Sequence, residues 1–172
     1  MADGIFGVEV VTPEQSLYAG GARSVVLATS EGDLTVLDGH TPLVGDIVPV
    51  ELKLEQADGP LLRFAVHGGF LQVDTSPGAA EGLAEGDGPL PGLSTRVTIL
   101  AGIAELADEI DVSRAELARD AATQRVNDLR AGRGTQSSGA GGEEVEVDVD
   151  LLDAQGSLDR AELRLAVAAG EA

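Results

Sequence analysis

Short runs of alternating apolar and polar residues dominate the N-terminal part of the chain. One run is FGVEVV, residues 6–11, and similar runs begin near Glu51, Arg63 and Arg96. An alternation with a period of two places one face of a strand on a core and the other face in water. Because Gly, Pro and Asp turns separate the runs, we predict an antiparallel β-sandwich or barrel over residues 1–104.

A segment rich in Gly, Pro and Ala, residues 75–95, interrupts this alternation and has no strand period of its own. Hairpin loops of this length are uncommon in compact domains. We therefore predict a long, mobile surface insertion here, with a functional lid as the less favoured alternative.

The hydrophobic period changes near Asp108, where apolar residues begin to recur at intervals of three and four. This spacing predicts an amphipathic helix over residues 111–131. Asp111 can cap the first turn, because a short carboxylate accepts hydrogen bonds from the free N–H groups there. Arg130 suits the negative end of the helix, and Gly132 terminates it.

The remaining sequence predicts a linker and a second helix. Residues 132–156 combine a Gly/Ser stretch with the acidic run EEVEVDVD, which predicts a flexible linker. A shorter helix is expected over residues 157–169, with Ser157 as its cap. A helix of this length is marginal alone, so it should pack on the first helix or on a partner. Residues 105–172 thus form a predicted two-helix domain.

The composition restricts the classes of partner and of chemistry. The chain has 30 Asp and Glu against 11 Lys and Arg, a formal net charge of -19, which argues against nucleic acid and anionic lipid as direct partners. It has no Cys and only 2 His, so thiolate chemistry is excluded and a metal site is not expected. No signal peptide and no apolar run of the ~18 residues that a membrane helix needs are visible. These features predict a soluble cytoplasmic protein.

No catalytic motif stands out in the sequence. A serine-nucleophile elbow, a phosphate-binding Walker loop and a dinucleotide-binding glycine motif are all missing. We interpret His67 as a surface or hydrogen-bonded residue. His40 lies in GDLTVLDGHTPLVGDI, where a turn held by Gly39 and Pro42 explains it without any function. The sequence therefore predicts a protein that is not a catalyst on its own.

The segment around His40 resembles a known family. SEGDLTVLDGHTPLVGDI is similar to the S-E-G-x-x-x-V-L-x-G-H-x-P-L turn of the ε subunit of bacterial F-type ATP synthases. In the same order, VHGGFLQV resembles the family's G-G-F-x-x-V strand, and its I-D-x-x-R-A signature is matched by Ile110, Asp111, Arg114 and Ala115. The resemblance implies the family's architecture, an N-terminal antiparallel β-sandwich followed by a C-terminal α-helical hairpin.

The resemblance also implies a function and partners. It implies a non-catalytic rotor subunit in the central stalk of the proton-translocating ATP synthase. Contacts with the γ subunit and the membrane c-ring would couple ring rotation to ATP synthesis. In many members the C-terminal helices extend along γ toward the α and β subunits and block ATP hydrolysis. The implied location is the cytoplasmic face of the cell membrane, reached only indirectly through the complex.

The family pattern, carried over residue by residue, assigns two groups of site residues. The first group faces the c-ring loops in the family and consists of Asp33 and His40. No cofactor is required, but some members bind ATP as a regulatory ligand, and the residues that match their pattern are Glu105, Asp111, Arg114, Arg160 and Arg164. The alternative role of Asp111 is to cap its helix, and that of the last two arginines is a solvated, salt-bridged helix face.

The sequence departs from the family in several places. Ala121 stands where ATP-binding members have a further Arg, and segments 75–95 and 132–156 are longer than usual. The second helix is acidic where strongly inhibitory members are basic, so strong inhibition of hydrolysis is not expected.

A stand-alone β-sandwich that binds a ligand or a carbohydrate is the alternative from another class. With 1 Tyr and no Trp, the chain offers little of the aromatic surface on which sugars stack. An acidic regulatory module that mimics nucleic acid would fit the charge but not the ordered family motifs.

Overall fold

The computed structural model describes residues 4–80, 83–85, 88–89, 93–133 and 149–170. The strands are β1 (Phe6–Val11), β2 (Ser16–Thr29), β3 (Gly32–Val36), β4 (Leu43–Ile47), β5 (Val50–Gln56), β6 (Leu61–Val66), β7 (Gly69–Asp74), β8 (Ala84–Glu85), β9 (Gly88–Pro89), β10 (Arg96–Ala101) and β11 (Ala104–Leu106). A short 3-10 helix, Ala107–Glu109, leads to α1 (Val112–Arg130), and α2 (Val149–Ala169) follows it.

One long strand, β2, organises the N-terminal sandwich. It pairs with β1 along its first half, with β5 and β3 further on, and with β4 at Thr29. The path β1-β10-β7-β4 continues on one side of β2, and β5-β6-β11 continues on the other. These pairs are antiparallel except β1–β10, which is parallel. The predicted antiparallel sandwich is confirmed, with one parallel pair that alternation alone does not reveal.

The core of the sandwich follows the alternation of the strands. Phe6, Val8 and Val10 of β1 are fully buried, as the period of FGVEVV predicts. Other large, fully buried side chains of this core are Phe64, Leu52, Leu54, Leu71, Ile99, Val25, Val36, Val66 and Val97. Full burial of such a side chain contributes about 1.5–3 kcal/mol, so this mainly aliphatic cluster stabilises the domain.

The 75–95 segment is partly packed on the sandwich. β8 and β9 pair within it, and Ala80 and Leu83 are buried. Gly7 allows this packing, because a Cβ at that position would lie 2.5 Å from Cδ1 of Leu83 and 3.2 Å from Cβ of Ala80. The prediction of a mobile surface insertion is wrong for these buried residues, since their apolar side chains anchor them. The parts of this segment that lie outside the described residues are 81–82, 86–87 and 90–92.

The first predicted helix is confirmed at both ends. α1 begins after Asp111, whose Oδ1 accepts a hydrogen bond of 3.0 Å from the backbone N–H of Arg114. Asp111 is therefore the N-cap that the sequence predicts. At the other end Ala131 is the C-cap, and Gly132 has a φ of 71°, a left-handed conformation that Gly adopts without strain.

The second helix is longer than predicted. α2 includes residues 149–156, whose composition predicts a flexible linker, and Ser157 lies inside the helix and not at its cap. The Ser157 hydroxyl donates a 2.9 Å hydrogen bond to the carbonyl of Asp153, one turn earlier. Ala154 is buried against Val126 of α1. This contact between helices stabilises the N-terminal part of α2, which would be marginal alone.

α2 joins the helical hairpin to the sandwich. Val167 is fully buried against Ala65 of β6, and Ile110 adds to the same cluster. β11 continues the sheet past residue 104, so the predicted domain boundary falls inside a strand. The hairpin and the sandwich therefore share an interface along β6 and β11. Most of the predicted linker, residues 134–148, lies outside the described residues.

Candidate functional site

Two residues of the predicted nucleotide site meet where α2 lies against β11. Arg164 of α2 donates from Nε to a carboxylate oxygen of Glu105 in a hydrogen-bonded ion pair. Both side chains are partly exposed at the rim of the hairpin–sandwich interface. The pair therefore links α2 to the sheet and engages the guanidinium that the resemblance assigns to a nucleotide.

The other members of that predicted group make local contacts. Arg160 Nη2 donates 3.0 Å to Oγ of Ser157 on the same helix, and Asp111 caps α1 at Arg114. In the part of the chain that the structure describes, no hydrogen bond or ion pair joins Asp111 or Arg114 to the arginines of α2. The alternative role of Asp111 as a cap is confirmed, and a shared nucleotide site stays a prediction.

A buried histidine lies beside the Glu105–Arg164 pair. The His67 side chain is 2% exposed, and its Nε2 lies 3.9 Å from Oε2 of Glu105. Neither ring nitrogen has a hydrogen-bond partner among the described residues. Burial first, and the positive charge of Arg164 second, lower the pKa of His67 from 6.5 to about 4, against the opposing charge of Glu105. His67 is therefore neutral at pH 7.

The interpretation of His67 as a surface or hydrogen-bonded residue is wrong. Phe64 and Val66 of β6 point into the core, so the alternation places His67 on the outer face of the sheet. α2 covers that face, and nothing in the local sequence shows where α2 docks. The alternation therefore predicts the face of the sheet on which His67 lies, but it does not predict that the His67 side chain is buried.

Further charged contacts lie under the C-terminal end of α2. Arg63 of β6 forms an ion pair with the buried carboxylate of Glu51, and Nζ of Lys53 lies 3.0 Å from Oε2 of that carboxylate. A Cβ on Gly170 would lie 2.8 Å from Nη1 of Arg63, so the end of α2 rests on this guanidinium. α2 has no basic residue in its last turn, and Arg63 supplies the positive charge that a helix C-terminus favours.

The predicted c-ring residues lie toward opposite ends of β3. Asp33 is exposed near the start of the strand, and His40 follows the strand in a turn that begins at Leu37. The extended chain from Asp33 to Leu37 spans roughly 13 Å. A small ligand could not touch both predicted residues, whereas a protein surface could.

The turn at residues 37–40, here called the His40 turn, is closed by a backbone hydrogen bond. The N–H of His40 donates 3.1 Å to the carbonyl of Leu37, and Gly39 adopts a φ of 75°. Nδ1 of the His40 ring lies 2.8 Å from the carbonyl oxygen of Thr41, which only accepts, so Nδ1 donates. The structural role predicted for Gly39 is confirmed, and the imidazole is held at the surface.

An exposed group of apolar side chains lies on the outer face of β4, β7 and β10. Val44, Phe70 and Leu100, here called the apolar patch, are 72%, 58% and 51% exposed. Phe70 and Leu100 pair directly across β7 and β10, and Val44 is a diagonal neighbour of Phe70 on β4, two residues before the Asp46 that pairs with Phe70. Val44 and Phe70 also line one groove with Asp33. Contiguous apolar surface of this kind marks an interaction site on a globular domain.

Comparison with known proteins gives the family of the chain. Residues 5–77 match the family described as ATP synthase, Delta/Epsilon chain, beta-sandwich domain. The ATP synthase epsilon chain of Desulforudis audaxviator is 36% identical over 126 residues, which cover 73% of this chain and 77% of that protein. The chain belongs to the family of ATP synthase epsilon chains.

Two further epsilon chains support this membership. That of Streptomyces griseus is 36% identical over 72% of this chain and 90% of its own length. That of Thermobifida fusca is 40% identical over 69% of this chain and 75% of its own length. A chain in the structure of the Euglena gracilis mitochondrial ATP synthase has a similar fold, with a TM-score of 0.63 at 17% identity over 93% of this chain and 79% of that one.

Membership of the epsilon-chain family confirms the identification made from the His40 turn and the I-D-x-x-R-A signature. It also confirms the predicted class of protein, a non-catalytic subunit of ATP synthase. No helix in the ranges that the structure describes is long and apolar enough to cross a membrane. The same described residues contain no cluster of three or more His, Asp or Glu that could hold a metal ion.

Proposed function

We propose that this epsilon chain is a rotor subunit in the central stalk of ATP synthase, where it couples rotation of the c-ring to ATP synthesis. The observation that carries the proposal is the apolar patch on a chain of this family. Leu100 pairs with Phe70, Val44 is a diagonal neighbour of Phe70 on the next strand, and all three side chains lie in water in the isolated chain. A surface of this kind needs a partner to cover it.

The γ subunit is the partner that we assign to the apolar patch. Covering the exposed half of each large side chain would contribute about 1 kcal/mol. Asp46 and Gln72 stand beside the patch in the strand register and would form its polar rim. An apolar centre within a polar rim is the usual arrangement of a subunit interface.

Asp33 and His40 are the residues that we assign to the polar loops of the c-ring. Asp33 shares a groove with Phe70 of the apolar patch, which would place the γ and ring contacts side by side. His40 is held at the surface by its own turn. Because the two residues lie toward opposite ends of β3, they would touch different loops. The chain would reach the cytoplasmic face of the membrane only through the ring.

Isolation of the tagged chain from solubilised native membranes, with its companions identified by mass spectrometry, tests the rotor proposal. We expect γ, c, α and β subunits to accompany it. Phe70→Asp should lower the recovery of γ about tenfold, because a carboxylate would be buried in an apolar contact. Asp33→Ala and His40→Ala should weaken recovery of c subunits while γ remains.

Leu61→Asp is the matched control for Phe70→Asp, since Leu61 is 54% exposed on β6, away from the patch. It should leave the recovery of γ unchanged, and circular dichroism should show that both variants are folded. Recovery of the wild-type chain alone, or only with unrelated proteins, would contradict the proposal and favour a stand-alone sandwich module.

We also propose ATP as a regulatory ligand of the helical hairpin. Arg160 and Arg164 are one turn apart on α2, and guanidinium groups suit phosphate oxygens. Glu105 holds Arg164 in an ion pair, so a phosphate must displace that carboxylate. Ala121 stands where ATP-binding members of the family have an Arg, so one cationic contact with the nucleotide is missing. These features predict weak binding, with a dissociation constant in the millimolar range.

Titration calorimetry with ATP tests this second proposal. Glu105→Gln should tighten binding several-fold, since Arg164 would be released from its ion pair. Arg160→Ala should weaken binding about tenfold, and Arg119→Ala, which removes an exposed arginine of α1 that pairs with Asp120 of the same helix, is the matched control. Absence of heat at millimolar ATP, or equal affinity in Arg160→Ala and Arg119→Ala, would refute a nucleotide site here.

The regulatory proposal also includes a movement: we propose that the helical hairpin can separate from the sandwich. Few large apolar side chains hold the two together: Val167 and Leu163 of α2, with Ile110 just before α1, pack in one cluster with Ala65 of the sheet. The ion pair of Arg164 with Glu105 adds a contact that water can replace. A hairpin held in this way can detach, extend along γ and reach the α and β subunits.

A further inference from the structure

A fully buried threonine lies directly behind the His40 turn. Thr95 is the last residue of the 75–95 segment, and it directly precedes β10. Its Oγ1 donates 3.1 Å to Oδ1 of Asp38 and accepts 3.0 Å from the backbone N–H of Gly39. A buried hydroxyl without partners would be costly, and here both of its hydrogen-bonding roles are used on the turn.

The same residue is tied to the sandwich through its backbone. The carbonyl of Thr95 accepts a 2.9 Å hydrogen bond from the N–H of Gly7 on β1. Nearby, Leu83 from the insertion is buried over Gly7, in space that a side chain at that position would fill. The backbone of Thr95 is therefore bound to β1, and its side chain is bound to the His40 turn.

The Thr95 hydroxyl adds to the closing hydrogen bond of the His40 turn, because it binds the Gly39 N–H that the closing bond does not use. Gly39 has a left-handed φ and has the greatest conformational freedom of any residue type. Its N–H is bound by the Thr95 hydroxyl, while the closing bond of the turn comes from His40 itself. Without the hydroxyl, Gly39 could rotate and carry the imidazole with it.

We propose that Thr95 is a positioning residue for the His40 turn, and that it sets the orientation in which His40 meets the c-ring. The positional part of this proposal rests on the hydrogen bonds alone. The functional part rests on the proposed c-ring contact of His40. The end of the 75–95 segment would thus be coupled to a rotor contact on another loop.

Thr95→Val tests the proposal, since valine has the shape of threonine without its hydroxyl. We expect hydrogen exchange of the Gly39 amide, measured by NMR, to become about fivefold faster. Recovery of c subunits with the tagged chain should fall as in His40→Ala. Thr95→Ser, which keeps the hydroxyl, should restore both. Thr35→Val, at an exposed threonine of β3, should change neither.

Each outcome bears on a separate part of the proposal. Unchanged exchange of the Gly39 amide in Thr95→Val would overturn the positioning role. The Gly39 amide could exchange faster in Thr95→Val while both Thr95→Val and His40→Ala recover c subunits normally. That result would support the positioning role and overturn the ring contact of His40. If Thr95→Val does not fold, Thr95→Ala provides the same measurement, because it also removes the hydroxyl that accepts from the Gly39 N–H.

Discussion

Replacement of Gly69 by Ala should destabilise the protein by about 3 kcal/mol or more. Gly69 begins β7, pairs with Ala101 of β10 and has a φ of 154°. A Cβ at this position would overlap the carbonyl oxygen of Leu100 and lie 2.9 Å from Cα of Ala101. Both are backbone atoms of a paired strand, so they cannot move away without breaking the ladder between β7 and β10.

Urea unfolding followed by circular dichroism measures this effect. Gly102→Ala is the matched control, because Gly102 follows β10 at the same corner and a Cβ there would meet nothing within 4 Å. Its free energy of unfolding should stay within about 0.5 kcal/mol of the wild type. Similar unfolding midpoints for Gly69→Ala and Gly102→Ala would show that the β10 backbone gives way and that the predicted clash is relieved.

The sequence predicts structure well wherever near neighbours along the chain decide it. The alternation of FGVEVV is enough to place Phe6, Val8 and Val10 in the core. The cap at Asp111 and the helix end at Gly132 also depend only on the adjoining turn. These features involve hydrogen bonds and periods of a few residues, which are fully contained in a local stretch of sequence.

The errors share one physical cause, which is packing between segments distant in the chain. The N-terminal part of α2 belongs to a stretch whose composition predicts a linker, yet it is helical, with Ala154 buried on Val126 of α1. The insertion has no strand period, yet Leu83 is buried because Gly7 leaves room for it. Tertiary contacts of this kind override local composition, and no local pattern reports them.

The candidate sites show the same contrast between features set by near neighbours in the chain and features set by tertiary packing. Family motifs name Glu105 and Arg164, but only the fold shows that they form an ion pair. The apolar patch is missed because Phe70 and Leu100 occupy outer-face positions, where alternation leads us to expect polar residues. An exposed apolar side chain at such a position is a signal that a strand-by-strand analysis could have used.

Acidification should weaken the folded state through His67, by roughly 1 kcal/mol per pH unit between pH 6.5 and about 5. In the unfolded chain the pKa of His67 is near 6.5, whereas burial beside Arg164 lowers the pKa to about 4 in the folded chain. Between these values the unfolded state binds more protons than the folded state. The contribution of His67 is therefore complete above pH 6.5 and is lost as the pH falls toward 4.

Urea unfolding at a series of pH values, with His67→Gln as the test variant, isolates this contribution. Glutamine gains no proton in this range, so its stability should vary less between pH 6.5 and 5. His40→Gln removes the other histidine, outside the hairpin interface, and should keep the wild-type slope.

An unchanged slope in His67→Gln would assign the pH dependence elsewhere. A flatter slope would locate it under α2, where a protonated ring faces the positive charges of Arg164 and Arg160, which Glu105 opposes.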